Sequence, residues 1–96
     1  MPKKNKSKID PRSAYFNTVL GQVVRGLRLS AGLSMEEVAK KSGLSAGRIE
    51  RIEMALVHTT IMELETLADG MGITGFDLFK ALSDKLDMKR LASLRT

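Results

Sequence analysis

The sequence contains no cysteine, no tryptophan and one histidine, His58. Without cysteine there are no disulfides, thiol nucleophiles or Cys-based zinc sites, and one histidine cannot assemble a His-carboxylate metal cluster, so neither metal nor other cofactor is implied. Aromatic residues make up only 4% of the chain, so its core must be built from leucine, isoleucine and valine. No apolar run approaches the ~20 residues of a membrane span, and no signal-peptide apolar segment follows the charged N-terminus. A cytoplasmic chain is the expectation. No strand alternation, internal repeat, phosphate loop or nucleophile-base pair is present, and enzymatic activity is not expected.

What is present amounts to one domain: 96 residues, 43% of them hydrophobic, enough for one moderate core. Sixteen Lys and Arg face eleven Asp and Glu for a net charge of +5, which is unevenly spread. Residues 1–12 carry Lys3, Lys4, Lys6, Lys8 and Arg12 against Asp10, a balance of +4, whereas 13–80 sum to −1 and 81–96 to +2. A segment this basic and this poor in apolar groups cannot offset the entropy of ordering. The reading is a flexible basic N-terminal arm over 1–12, suited to nucleic-acid phosphates or serving only solubility.

Capping signals divide the rest into helices. Asp10-Pro11 starts a helix, and Phe16, Val19, Leu20, Val23 and Leu27 recur at helical spacing to about Leu29, before Gly32. Ser34 and Glu37 form a capping box for a second helix ending at Gly43, and Ser45 caps a third over about Ala46 to Met54. Thr60 and Glu63 form another box, opening a helix with Leu64, Leu67, Ala68 and Met71. Thr74 caps a fifth, on which Phe76, Phe79, Leu82 and Leu86 align, with the pattern continuing through Leu91 and Leu94. The expected fold is an all-α five-helix bundle over 13–80, with a C-terminal helical extension over 81–96.

Between the second and third helices, small Ala39 is followed by Gly43 four residues later and Ile49 six after that. Two steeply crossed helices need a small residue at their contact and a glycine at positive φ. They also need apolar anchors beneath the second helix, here Val38, Leu44, Ile49 and Ile52. This is helix-turn-helix spacing. With Leu27-Arg28, Gly32-Leu33-Ser34, Glu37-Val38-Ala39, Gly43-Leu44-Ser45, Ile52-Glu53, Leu67-Ala68 and Met71-Gly72-Ile73 in one register, residues 20–79 resemble the phage repressors of the lambda and Cro type and their bacterial relatives, the XRE family.

The resemblance implies a lambda-repressor-like bundle whose third helix enters the DNA major groove while the second lies across the backbone. It places Ser45, Ala46, Gly47 and Arg48 at the base-facing start of the third helix, with Glu50 and Arg51 one turn on. Arg51 is the foremost candidate, since its fork matches guanine O6 and N7; a phosphate clamp is its plainer role. Arg48 divides between base, phosphate and an acidic neighbour, and Glu50 is read as restraining Arg51 or Arg48. Arg28 and Glu53 match a structural ion pair. His58 and Thr59 are candidate phosphate contacts. Phe76, Phe79, Leu82 and Leu86 are the expected homodimer interface, which would place two reading helices on a palindrome-like site.

Three departures from the family pattern stand out. Met35 replaces a phosphate-binding glutamine and offers DNA only its backbone amide and apolar surface. Ala46 and Gly47 stand where relatives favour polar groups. Ala55 to Thr60 replace a glycine followed by a basic loop, so alanine at a positive φ would be strained and the loop path could differ. The function implied is a sequence-specific transcriptional regulator, a repressor or autoregulator of bacterial nucleoid or phage-infected cell. The alternative is an antitoxin-like or adaptor module with weakened DNA reading and a protein partner.

Overall fold

The structure is a computed structural model describing residues 10–94, in which six helices and no strand occur. They are α1 (Pro11–Ser30), α2 (Met35–Ser42), α3 (Ala46–Glu53), α4 (Ile61–Gly70), α5 (Gly75–Lys85) and α6 (Met88–Ser93). Lys3, Lys4, Lys6 and Lys8 of the arm lie outside the described residues.

Each helix opens on a short polar side chain that accepts a backbone N–H three residues on: Asp10, Ser34, Ser45, Thr60, Thr74 and Asp87. Capping boxes close at Ser34/Glu37 and Thr60/Glu63, and a third uses the shorter Asp77 opposite Thr74.

Three of the helix ends share one geometry. After α1 and α4, Gly32 (φ 72°) and Gly72 (φ 78°) are left-handed, and the following residue donates back to the carbonyl five positions earlier. Ala55 does the same after α3 at φ 62°, with Leu56 N–H bonded to Arg51 O at 2.9 Å and Ala55 N–H to Ile52 O at 3.1 Å. The loop thus keeps the turn that glycine would make, at the cost of a Cβ in the left-handed region.

The expected continuation of α5 through Leu91 and Leu94 is corrected. Leu86 is extended (ψ 129°), and Asp87 caps the separate α6. An Asp side chain that bonds the Arg90 N–H competes with helix propagation. The Asp87 N–H donates instead to Tyr15 Oη at 2.9 Å, and Arg90 stacks 5.1 Å from the Tyr15 ring centroid, so α6 docks on α1. The boundary expected at residue 80 therefore falls inside α5.

α1 packs on α3, α5 and α6, while α4 covers α2 and α5. The shared core includes Leu20, Val24, Val38, Ile49, Ile52, Leu67 and Leu78, all fully buried, each larger side chain contributing about 1.5–3 kcal/mol by burial. At Gly21 α1 meets the end of α3 so closely that a Cβ there would lie 2.8 Å from Ile52 O. On α5 the inward face is Leu78 and Leu82, while Phe76 and Phe79 point out.

Candidate nucleic-acid interface

The turn between α2 and α3 follows from Gly43. At φ 84° it sends its N–H to Ala39 O at 2.8 Å, and Ser42 Oγ accepts the Leu44 N–H at 3.1 Å. The chain reverses within three residues and starts α3 at Ser45. Val38, Ile49 and Ile52 bury the inner faces of the pair, leaving Ser45, Glu50 and Arg51 exposed on α3. The Arg51 guanidinium lies beside Gly47, one turn back: a Cβ at 47 would sit in ordinary contact, 3.5 Å from Arg51 Nη1, so the side chain is folded toward the N-terminal end of α3. No ion pair or hydrogen bond engages the Arg51 side chain among the described residues.

Two bidentate arginine-glutamate pairs hold α3. Arg28 on α1 reaches Glu53 at its C-terminal end (Nε to Oε2 2.7 Å, Nη2 to Oε1 2.9 Å) and also donates to Leu33 O at 3.0 Å. Both side chains are more than nine-tenths buried. Arg48, at the other end, reaches Glu63 at the start of α4 (2.8 and 2.9 Å) and donates to His58 O at 2.7 Å. Glu63 also accepts the Thr60 N–H at 2.9 Å, so one carboxylate caps α4 and anchors α3. The hydrogen bonds from Arg48 foremost hold the Glu63 carboxyl below its ordinary value.

Of the three roles open to Arg48, the structure shows the pair with an acid: its Nε and Nη2 are engaged inside the fold, where it braces the α3–α4 loop. Met35, half-buried at the start of α2, packs part of its side chain against the core. His58 is exposed, but Thr59 Oγ1 is buried without a partner and does not present itself to a phosphate. Ala46 and Gly47 are half-buried.

For the expected dimer surface, Leu82 is 4% exposed and belongs to the core, and Leu86 packs against it. Substituting Leu82 would break the fold before any interface. Phe76 (75% exposed) and Phe79 (40%) remain available. Sequence periodicity missed the exposed Ile61 and Met62 that open α4, because they precede its inward stripe. It also gave no sign of Glu63 as the partner of Arg48, fifteen residues away across a loop.

Crossed α2 and α3, joined at a left-handed glycine with the second helix exposed, define a helix-turn-helix module. Residues 19–78 match the helix-turn-helix domain family HTH_31, 60 of the 96 residues, and the chain belongs to that family. Among solved structures it is similar to a single-residue variant of the restriction-modification controller protein C.Esp1396I, with 27% identity and a TM-score of 0.70 over 74% of this chain and 95% of that one. The same controller as a tetramer with its natural 35 base-pair operator matches at 27% identity and TM-score 0.69, over 73% of this chain and 92% of that one. A transcriptional regulator of the HTH_3 family from Vibrio cholerae matches at 26% and 0.67, covering 71% of this chain and 38% of that one. No curated protein sequence matches.

Proposed function

We propose that the chain is a sequence-specific DNA-binding transcriptional regulator that acts as a homodimer, with α3 in the major groove. The observation that carries this reading is the exposed Arg51 guanidinium, turned beside Gly47 toward the start of α3 with no partner among the described residues. A free fork at that place can pair with guanine O6 and N7 and supply about 1–3 kcal/mol of base discrimination. The likeness to a controller protein bound to its operator supports the same reading.

Arg48 braces the head rather than reading bases, and Glu50 beside Arg51 limits its directions. Backbone N–H groups at the starts of α2 and α3, His58 and the basic arm are the phosphate contacts. Phe76 and Phe79 supply the pairing surface on α5, which would set two copies of α3 ~34–36 Å apart. The protein is placed with its DNA in the bacterial cytoplasm, as a repressor or autoregulator and not an enzyme.

Selection of duplexes from a random pool at near-physiological salt tests this. A two-fold related motif is the expected product; absence of enrichment would favour the adaptor reading, to which the nearly neutral domain and the loss of the family glutamine at Met35 otherwise lend support. Phe76→Glu with Phe79→Glu should yield folded monomers in sedimentation.

A further inference from the structure

An open groove of about 260 Å³ runs between the first turns of α1, the α3–α4 loop and α6. Its polar wall is Arg12 and His58, both exposed, and its apolar wall is Phe16 and Leu91, both half-buried. Asn17 Nδ2 and Thr59 Oγ1 are inaccessible and take no part. No carboxylate lines the groove: Asp10, two residues before Arg12, is turned to the N–H and Oγ of Ser13 at 3.0 and 3.2 Å. The ion pairs among the described residues lie elsewhere, so the Arg12 guanidinium has no acidic partner there.

The groove is an addition to the helix-turn-helix module. Arg12, Phe16 and Leu91 lie outside the matched residues 19–78, and α6 is held on α1 by the Asp87 N–H bond to Tyr15 Oη and by Arg90 over the Tyr15 ring. The remaining wall is the loop whose His58 carbonyl takes a 2.7 Å bond from Arg48 in the first turn of α3. A surface that meets the start of α3 therefore continues into the groove. In sequence, Lys3, Lys4, Lys6 and Lys8 lead into the same place.

We infer that the groove seats the sugar-phosphate backbone of the DNA flanking the bases that α3 reads, with Arg12 and the His58 ring on a phosphate and Phe16 and Leu91 against deoxyribose. The inference rests on the regulatory reading and extends its interface beyond the family domain. A phosphate calls for a cation and N–H donors with no carboxylate among them. The sugar beside it offers carbon surface, so one donor wall and one apolar wall match the alternation of the backbone, whereas a lone inorganic anion would leave the apolar wall in water. Such a contact adds affinity on every sequence and reads none.

The test is duplex affinity over a salt series for wild type, Arg12→Ala, Arg12→Lys and Lys85→Ala, a cation that lines a different groove, between α1 and α5. Arg12→Ala should weaken selected and random duplexes alike and lower the slope of log affinity against log salt by up to ~0.9, so that the advantage of wild type shrinks about threefold between 50 and 200 mM salt. Arg12→Lys should restore the slope, and Lys85→Ala should leave it as in wild type. A wild-type slope in Arg12→Ala overturns the groove, as does an equal fall in Lys85→Ala, which would be an effect of net charge alone. A loss confined to one base position also overturns it, by making Arg12 a base reader. If wild type selects no sequence while Arg12→Ala still lowers the slope on random duplexes, the groove stands and base reading by α3 falls; if wild type binds no duplex, both fall.

Discussion

The two ends of α3 are held by the same chemistry with different consequences. At the C-terminal end, Arg28 and Glu53 are 8% and 3% exposed; at the N-terminal end, Arg48 and Glu63 are 27% and 21% exposed. Removing one partner of a buried pair strands a charge in a medium that cannot solvate it, whereas water reaches the second pair and substitutes for part of what is lost. The first pair is scaffold, joining α1 to the C-terminal end of α3. The second joins the N-terminal end of that helix to the loop that follows it and engages the Arg48 guanidinium within the fold.

The largest contrast should appear on deletion. Arg28→Ala or Glu53→Ala should cost about 3–5 kcal/mol, read in urea unfolding. A loss near that of the outer pair would show that the inner one is not desolvated in solution. Glu63→Gln should cost less, about 1–2 kcal/mol, from its charged hydrogen bonds to Arg48, discounted for exposure. Because the Glu63 carboxyl is held below its ordinary 4.5, its contribution is complete above that value and fades as pH falls through the depressed one. Wild type and Glu63→Gln should therefore converge in stability on acidification below about pH 4.5; a constant gap would exclude the ion pair as its cause.

A smaller effect of opposite sign is expected between the two pairs. Ala55→Gly should stabilise the protein by about 1 kcal/mol, since glycine meets φ 62° without the Cβ penalty. In a domain of this size that is a rise of roughly 4–8 °C in Tm. No gain would mean that the turn relaxes in solution.

Much of the fold was legible because caps are local. Asp10, Ser34, Ser45, Thr60 and Thr74 mark helix starts by bonds that span three residues, and Gly32, Gly43 and Gly72 mark ends by a conformation glycine favours. What escaped depends on partners distant in sequence or on competition between local rules. Asp87 reads as one polar residue in an apolar repeat until the Tyr15 hydroxyl is placed beside it. Periodicity on α5 put Phe76, Phe79, Leu82 and Leu86 on one pairing face and passed over Leu78; Leu78 and Leu82 turn inward because α1 and α4 both pack on that side of the helix, while Phe76 and Phe79 stay exposed. Ala55 was expected to be strained there, but whether the chain would accept the strain or reroute depended on the complete turn around it. In the reading head, Arg48 and Arg51 are alike in sequence. Only the bonds of Arg48 to Glu63 and the His58 carbonyl, and the lack of any such bond at Arg51 among the described residues, separate a brace from the proposed reader.

That separation is tested most directly by measuring the affinity of wild type and Arg51→Ala for a selected duplex and its single base-pair variants at fixed salt. The account predicts a loss of about 1–3 kcal/mol on the selected duplex and loss of base preference at one position, repeated in each half-site. An equal loss on every duplex, random sequence included, would make Arg51 a phosphate clamp and contradict base reading by α3 through this residue.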